Sequence, residues 1–181
     1  LTYSTQGSFT ITWSFDDGNG NTSTATQNVI VDDVTTPAVP TLSAVTGQCS
    51  ATATAPTTTD NCAGTITGTT SDPLTYSTQG SFTITWTFDD GYGNTSSTTQ
   101  NVIVDDITSP AVPTLADVTG ECSATAIAPK TTDSCAGIIT GTTTDPLTYT
   151  SQGSFSIAWT FDDGNGNTST ATQNVIVDDV T

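Results

Sequence analysis

Apolar and polar side chains alternate over short stretches of the chain, which is the pattern of half-buried β-strands. The clearest stretch begins at Ser81 and places Phe82, Ile84, Trp86 and Phe88 on one face, with Ser and Thr on the other. We therefore expect these aromatic and aliphatic side chains to form a core, with the Thr side chains in solvent.

Further strands follow from the same pattern. A Gly-rich hairpin turn from Asp89 to Asn94 precedes a second strand, Thr98 to Val104. No stretch shows helical spacing. The alternating strand at 81–88 recurs at 8–15 and 154–161. Six or seven short strands in each stretch of 73 residues, with turn signals every 8–12 residues, predict an all-β fold of small antiparallel immunoglobulin-like sandwiches. The shorter strands are predicted near 39–45, 50–55, 64–69 and 74–77.

The chain is an internal repeat with a period of 73 residues, because the segment that begins at Leu1 returns at Leu74 and at Leu147. Segments 34–106 and 107–179 are identical at 56 of 73 positions. Pro-rich stretches mark the boundaries, since proline cannot donate to a central sheet ladder. We expect a slice of a longer array. Its predicted domains are a truncated repeat at 1–33 and complete repeats at 34–106 and 107–179.

Charge excludes several classes of function. The chain has 18 acidic residues, one basic residue and no His, giving a net charge of −17. It cannot neutralise nucleic-acid phosphates or dock on an anionic membrane surface, and it lacks His-based catalysis. Adjacent carboxylates such as Asp89 and Asp90 point to opposite faces of a strand, so we predict no enzyme. No apolar run is long enough for membrane insertion.

Each complete repeat carries one cysteine pair with the same spacing, C-x12-C. A pair that recurs with the repeat predicts a disulfide within each repeat, and hence an oxidising, extracellular location. The alternative, a two-cysteine metal half-site, has no His or further Cys to complete it. The predicted disulfides are Cys49–Cys62 and Cys122–Cys135.

Three motifs carry a resemblance to a known family. They are Thr-Ala-Pro-Thr-Thr-Thr-Asp-Asn-Cys at 54–62, Gly-Ser-Phe-Thr-Ile-Thr-Trp-Thr-Phe-Asp-Asp-Gly-Tyr-Gly-Asn-Thr at 80–95, and Val-Ile-Val-Asp-Asp at 102–106. In order and spacing they resemble the hyalin repeat (HYR) and related bacterial immunoglobulin-like repeats. Ser134 departs from that pattern, because it stands where the first complete repeat has Asn61.

The Thr and Asp bias and the repetitiveness also resemble the giant surface adhesins of gliding Bacteroidetes (SprB-like proteins). This resemblance implies a secreted, very long filament or adhesin at the cell surface, with roles in cell adhesion and gliding motility.

Aspartates concentrate where one repeat should meet the next. In an immunoglobulin-type sandwich the chain leaves one repeat beside two turns of the following one, which crowds carboxylates together. Calcium takes six to eight oxygen ligands, so we predict calcium sites that stiffen the array; the alternative is that these are solvated turn residues. The predicted ligands are Asp32, Asp33, Asp60, Asp89, Asp90 and Asn94 at the first junction, and Asp105, Asp106, Asp133, Asp162, Asp163 and Asn167 at the second.

These observations predict structural spacer repeats of a secreted cell-surface fibre or adhesin, whose partners are the neighbouring repeats of the same chain. Two alternatives remain open at this level. The repeats could bind surface glycans directly, or they could belong to a self-assembling filament in which like filaments complete one another's truncated repeat by strand exchange. Neither nucleic acid nor membrane insertion is expected.

Overall fold

The computed structural model describes residues 1–179, which form 16 β-strands and no helix. The protein is therefore all-β, as the alternation predicts, and in this range no helix could span a membrane. The first strands are β1 (Gly7–Asp16), β2 (Thr22–Val31), β3 (Val45–Gly47), β4 (Ala51–Thr52), β5 (Thr57–Asp60), β6 (Gly64–Thr67), β7 (Thr75–Tyr76), β8 (Gly80–Asp89) and β9 (Thr95–Val104). The remaining strands are β10 (Val118–Gly120), β11 (Ala124–Thr125), β12 (Lys130–Asp133), β13 (Gly137–Thr140), β14 (Thr148–Tyr149), β15 (Gly153–Asp162) and β16 (Thr168–Val177).

Most strands pair in the antiparallel sense. Two three-stranded sheets have the orders β3-β9-β8 and β10-β16-β15, and five two-stranded sheets are β1-β2, β4-β7, β5-β6, β11-β14 and β12-β13. In each three-stranded sheet the central strand pairs parallel with the short edge strand: β9 with β3, and β16 with β10. The expectation of purely antiparallel sheets is wrong at these two pairs. The intervening chain is long enough for the crossover that a parallel pair requires.

Contacts divide the chain into two compact units. The first unit comprises 1–42, 54–72 and 85–100, and the second comprises 43–53, 73–84 and the chain from Asn101 onward. Strands β8 and β9 contribute residues to both units. The division into repeats at 1–33, 34–106 and 107–179 stays a prediction.

The core of the second unit follows the alternation of β15. Ile157, Trp159 and Phe161 are at most 1% exposed, and Val175 and Val177 of β16 are equally buried. The intervening side chains of β15 face solvent. The predicted register of this strand is therefore confirmed. Burial of large apolar side chains on one sheet face is the main stabilising term of so small a core.

The first aromatic residue of each strand lies at the edge of the core instead of inside it. Phe155 is only partly buried and stacks on Tyr149, with ring centroids 4.6 Å apart. Phe82 likewise stacks on Tyr76 at 4.4 Å. Stacked aromatic pairs of this kind shield the end of the sheet from water.

A tryptophan hydrogen bond fixes the centre of each core. The indole Nε1 of Trp159 donates to Gln173 Oε1 at 3.0 Å, and Gln173 Nε2 donates to the Ala116 carbonyl at 3.0 Å. In the first unit Trp86 Nε1 donates to Gln100 Oε1 at 3.1 Å. These bonds satisfy polar groups that burial would otherwise leave unpaired.

Strands β1 and β2 are less covered than their counterparts. Trp13 is 45% exposed and Phe15 58%, whereas Trp159 and Phe161 are at most 1% exposed. In the second unit Ala124 and Ala126 belong to the same core as those side chains. Residues 1–33 include no counterpart of that segment.

Core packing generates a matched stability prediction. Replacing Ile157, which is fully buried, by Ala should lower the free energy of unfolding by about 2–5 kcal/mol, because a cavity adds to the lost transfer free energy. The same change at Ile127, which is 84% exposed in a loop, should alter it by less than about 0.5 kcal/mol. Denaturant titration of both variants measures the difference, and equal effects would contradict the assigned register.

Candidate functional site

The structure brings together part of each predicted ligand set, and a cysteine with it. One oxygen each from Asp33 and Asp60 and the sulfur of Cys62 lie within 4.8 Å of one another. The same arrangement recurs with two aspartates and a cysteine in the second unit. We define junction site 1 as Asp33, Asp60, Cys62, Asp90 and Asn94, and junction site 2 as Asp106, Asp133, Cys135, Asp163 and Asn167.

Asp33 is held in place through its backbone. Its N–H donates to Gln6 Oε1 at 2.8 Å, and its carbonyl accepts a bond of 3.0 Å from Asn94 Nδ2. The side chain is 5% exposed, and Oδ1 accepts from the Thr35 N–H at 3.1 Å. Among the described residues Oδ2 has no hydrogen-bond partner. A buried carboxylate oxygen left in this state is costly unless a cation or donor reaches it.

Asp60 ends β5 and caps the turn that follows it. Oδ1 accepts hydrogen bonds from the N–H groups of Cys62 at 2.8 Å and Ala63 at 3.0 Å. These bonds, the one from Ala63 first, hold the pKa of Asp60 below its usual value, so the side chain is ionised at neutral pH. The buried Oδ2 is unpartnered within residues 1–179. Asp60 and Asp33 thus each offer one buried oxygen without a donor.

Asp90 organises the hairpin turn between β8 and β9. Its Oδ1 accepts from the N–H groups of Tyr92 at 2.7 Å and Asn94 at 3.1 Å, and Oδ2 accepts from Asn94 Nδ2 at 2.7 Å. Burial opposes ionisation, but these bonds outweigh it, so the pKa of Asp90 lies below its usual value. The negative charge of Asp90 also acts on Asp60. Because Asn94 Nδ2 also donates to the Asp33 carbonyl, Asn94 links the turn to the Asp33 backbone.

Junction site 2 repeats this geometry. Asp133 Oδ1 accepts from the N–H groups of Cys135 at 2.7 Å and Ala136 at 2.9 Å, and its buried Oδ2 lacks a partner in the described chain. Asn167 Nδ2 donates to the Asp106 carbonyl at 2.7 Å and to Asp163 Oδ2 at 2.8 Å. Asp106 is 3% exposed.

One substitution makes the two sites differ. In site 2 Asn165 Nδ2 donates to Asp106 Oδ2 at 3.3 Å. Tyr92 occupies the equivalent position in site 1 and has no side-chain amide, so Asp33 Oδ2 receives no such bond. Site 1 therefore has two buried carboxylate oxygens without a hydrogen-bond partner, Asp33 Oδ2 and Asp60 Oδ2, whereas site 2 has one, Asp133 Oδ2.

Four predicted ligands lie outside the two junction sites. Asp32 and Asp105 are exposed. Asp89 and Asp162 are exposed as well, and each accepts a hydrogen bond from a turn glycine N–H at 2.8 Å. Adjacent residues of a strand point to opposite sides, so only the second aspartate of each pair turns inward.

The carboxylates of each site, though not the cysteine sulfur, are ligands for a hard divalent cation. In each site two carboxylates have oxygens within 4.8 Å of each other, and the buried oxygens without hydrogen-bond partners are the kind of group that a cation would satisfy. Asp33 and Asp60 would hold such an ion at site 1, and Asp106 and Asp133 at site 2. Calcium supplies positive charge and accepts several oxygens at once, and backbone carbonyls and water commonly complete its shell.

The predicted disulfides within the repeats are wrong. The structure joins Cys49 to Cys135, with sulfurs 1.97 Å and Cα atoms 4.9 Å apart, and among the described residues Cys62 and Cys122 are unpaired and exposed. The bridge therefore links one predicted repeat to the next. It lies wholly within the second unit.

The length of β16 explains why the two cysteines of one predicted repeat do not bond to each other. Cys122 follows Gly120, which pairs with Val177 at the last residue of β16. Cys135 lies two residues after Asp133. The charge of Asp163 acts on Asp133, and Asp163 lies in the turn before β16, so Cys135 is near the first residues of that strand. A strand of ten residues spans roughly 30 Å. A disulfide requires Cα atoms about 4.4–6.8 Å apart, so the two cysteines of one repeat cannot meet.

Sequence reasoning missed two parts of the site. It considered the cysteines only as disulfide partners and not as neighbours of the aspartates, although Asp60 and Asp133 each stand two positions before a cysteine. It also passed over Gln6 and Gln79, whose Oε1 atoms accept from the N–H groups of Asp33 and Asp106. The signal was available, because a Gln-Gly-Ser-Phe segment occurs in all three copies.

The carboxylate of Asp133 should make stability depend on pH. Hydrogen bonds from the N–H groups of Ala136 and then Cys135 lower its pKa in the folded protein. The stabilisation is therefore present above the unfolded value of about 3.9 and is lost as pH falls toward the folded pKa. With chelator present, Asp133→Asn should destabilise the protein at pH 7, and its deficit should shrink in acid. Denaturant midpoints measure this, with exposed Asp117→Asn as control; a deficit that is independent of pH would contradict the assignment.

The disulfide assignment predicts an asymmetry between equivalent cysteines. Cys49→Ser should lower the free energy of unfolding by roughly 4–5 kcal/mol on the chain-entropy model, because the bridge closes 86 residues. Cys122→Ser, at the equivalent position of the next repeat, breaks no bond and should change it by less than about 0.5 kcal/mol. Denaturation with and without reductant tests this. Equal effects of the two substitutions would refute the observed pairing.

Comparison with known proteins adds no assignment to this geometry. No family model matches the chain, and no curated protein matches its sequence.

Proposed function

We propose that the chain consists of tandem immunoglobulin-like repeats of the HYR type, which serve as structural spacers in a long secreted cell-surface fibre or adhesin. The observation that carries this proposal is the junction site, built twice with the same buried aspartates, asparagine and cysteine. Calcium at these sites stiffens the array. A spacer requires such fixed junctions, because flexible ones would shorten the distance that it bridges.

The order of strands supports the repeat architecture. Strands β10 to β16 have the same lengths, in the same order, as β3 to β9. Hydrogen bonds recur as well: Thr52 and Thr125 each share a 3.0 Å bond with a threonine of the partner strand. Two stretches of 73 residues that fold alike are what a tandem array requires.

The predicted linker is held by hydrogen bonds. Pro110 is buried, the Ala111 N–H donates to the Thr132 carbonyl at 3.0 Å, and Thr131 Oγ1 donates to the Ala111 carbonyl at 2.6 Å. The hydroxyl of Thr108 donates to Gln48 Oε1. Side chains on both sides of the boundary after Asp106 thus fix the backbone that crosses it. This supports a stalk with ordered junctions.

Calcium binding follows from the charges gathered at each junction. Asp33 and Asp60 bring two carboxylates together from either side of the first boundary, and Asp106 and Asp133 do so at the second. Each additional negative charge nearby, such as that of Asp90, raises the cost of this arrangement without a cation. Calcium bound to both carboxylates would join the two repeats directly.

Positions that vary between the repeats favour a spacer over a glycan-binding module. At four of these positions the residues are exposed in both copies, and at three of the four an exposed charged or aromatic residue in one copy is replaced by an uncharged, non-aromatic one in the other. A repeated binding face should retain such residues, whereas a spacer need not. The pairs are Thr57 and Lys130, Gln48 and Glu121, Thr54 and Ile127, and Tyr92 and Asn165.

The calcium proposal predicts a change in both stability and dimensions. At a hundredfold excess over its Kd, calcium should stabilise the folded chain by about 2.7 kcal/mol per site, and so raise its melting temperature. Chelation should lower the mean maximum dimension in small-angle scattering. We expect the larger change at junction site 1, since the disulfide braces site 2.

Paired variants make this test specific. Asp60→Asn with Asp133→Asn should remove both responses to calcium, because each site loses one of the two carboxylates whose oxygens lie within 4.8 Å of each other. The charge-matched control Asp16→Asn with Asp117→Asn changes exposed residues outside the sites and should keep both responses. If calcium changes neither the melting temperature nor the dimensions of the unaltered chain, the calcium-stiffened junction is refuted.

A further inference from the structure

We propose that the Cys49–Cys135 bridge is one link of a disulfide ladder that runs through the array, joining each repeat to the next. In this ladder Cys122 bonds to the second cysteine of a following repeat, and Cys62 bonds to the first cysteine of a preceding one. The proposal rests on the tandem-repeat function above, since both partners belong to neighbouring repeats.

The first half of each link is the same around Cys49 and Cys122. Gln79 Nε2 donates to the Gln48 carbonyl at 2.8 Å, immediately before Cys49. Gln152 Nε2 donates to the Glu121 carbonyl, also at 2.8 Å, immediately before Cys122. Both cysteines therefore project from the same backbone geometry, and one of them already holds a partner.

The end of a repeat lies beside this first half-link. Gly47 pairs with Val104, and the Gly47 carbonyl accepts from the Asp105 N–H at 2.9 Å. Gly120 pairs with Val177 in the same way, and its carbonyl accepts from the Asp178 N–H at 3.0 Å. The first cysteine thus lies where the chain leaves the repeat.

The second half of each link is the same around Cys62 and Cys135. The Cys62 N–H donates to Asp60 Oδ1 at 2.8 Å, and the Cys135 N–H donates to Asp133 Oδ1 at 2.7 Å. Each sulfur also belongs to the same group of ligand atoms, with Asp33 for Cys62 and Asp106 for Cys135. Cys135 binds a cysteine in this setting, so Cys62 lies in a half-site already built for one.

Formation of each link is a two-electron oxidation. Two thiols lose two protons and two electrons, and one sulfur–sulfur bond forms. A low-molecular-weight disulfide such as oxidised glutathione accepts the electrons by thiol–disulfide exchange, and is released as two thiols. The peptide linker keeps the two half-sites at high effective concentration, which favours pairing between neighbours over pairing with other chains.

The ladder is tested by giving Cys122 a following repeat. We would append a second copy of residues 109–181 after Thr181, which continues the 73-residue period, and refold the longer chain with oxidised and reduced glutathione. Peptide mapping should find Cys49 joined to Cys135 and Cys122 joined to the appended copy of Cys135. Cys62 and the appended copy of Cys122 should remain the only thiols that alkylate.

Control variants keep the result interpretable. Cys122→Ser in the longer chain should release the appended copy of Cys135 as a third alkylating thiol and leave the Cys49–Cys135 link intact. A bond between the two appended cysteines, or free Cys122 in the folded longer chain, would overturn the ladder. Either result could occur with the calcium responses of the original chain unchanged, so failure of the ladder is distinguishable from failure of the spacer proposal.

Discussion

Burial of one aspartate, Asp33 or Asp106, is the constraint on which the rest of each junction site depends. Asp33 and Asp106 are 5% and 3% exposed, and their backbone groups are bound by a glutamine and an asparagine from different segments. Burial brings each carboxylate close to a second one. Because like charges in such a site repel, the close carboxylates are costly by themselves, and a bound cation would lower that cost.

The hydrophobic cores are small and closely packed. Ile157, Trp159 and Phe161 are among the largest fully buried side chains, and Ser156, Ala158 and Thr160 lie on the exposed face of the same strand. Gly141 shows how closely this core is packed, because a Cβ there would lie 2.9 Å from the Phe161 ring. A small core of this kind gives limited stability by itself, and the Cys49–Cys135 bridge adds to it.

The cysteines show why a repeating sequence pattern misleads about pairing. Because one pair recurs per repeat, its spacing is the same whether the bonds form within repeats or between them. The distance along β16 decides the question, since Cys122 and Cys135 lie at opposite ends of that strand. The exit of one repeat, which carries Cys49, lies next to the turn that carries Cys135. The disulfide and the buried aspartates therefore occupy the same junction.

The sequence by itself determined the all-β class, the strands β8, β9 and β15, and the inward face of each, because alternation has a period of two and needs no tertiary information. It also located the acidic turns. Only the tertiary structure decided which member of each Asp-Asp pair turns inward, that β10 runs parallel to β16, and that Cys49 meets Cys135. These features depend on where distant segments meet in space, and for the cysteines the sequence leaves the pairing undetermined because both copies carry the same C-x12-C pair.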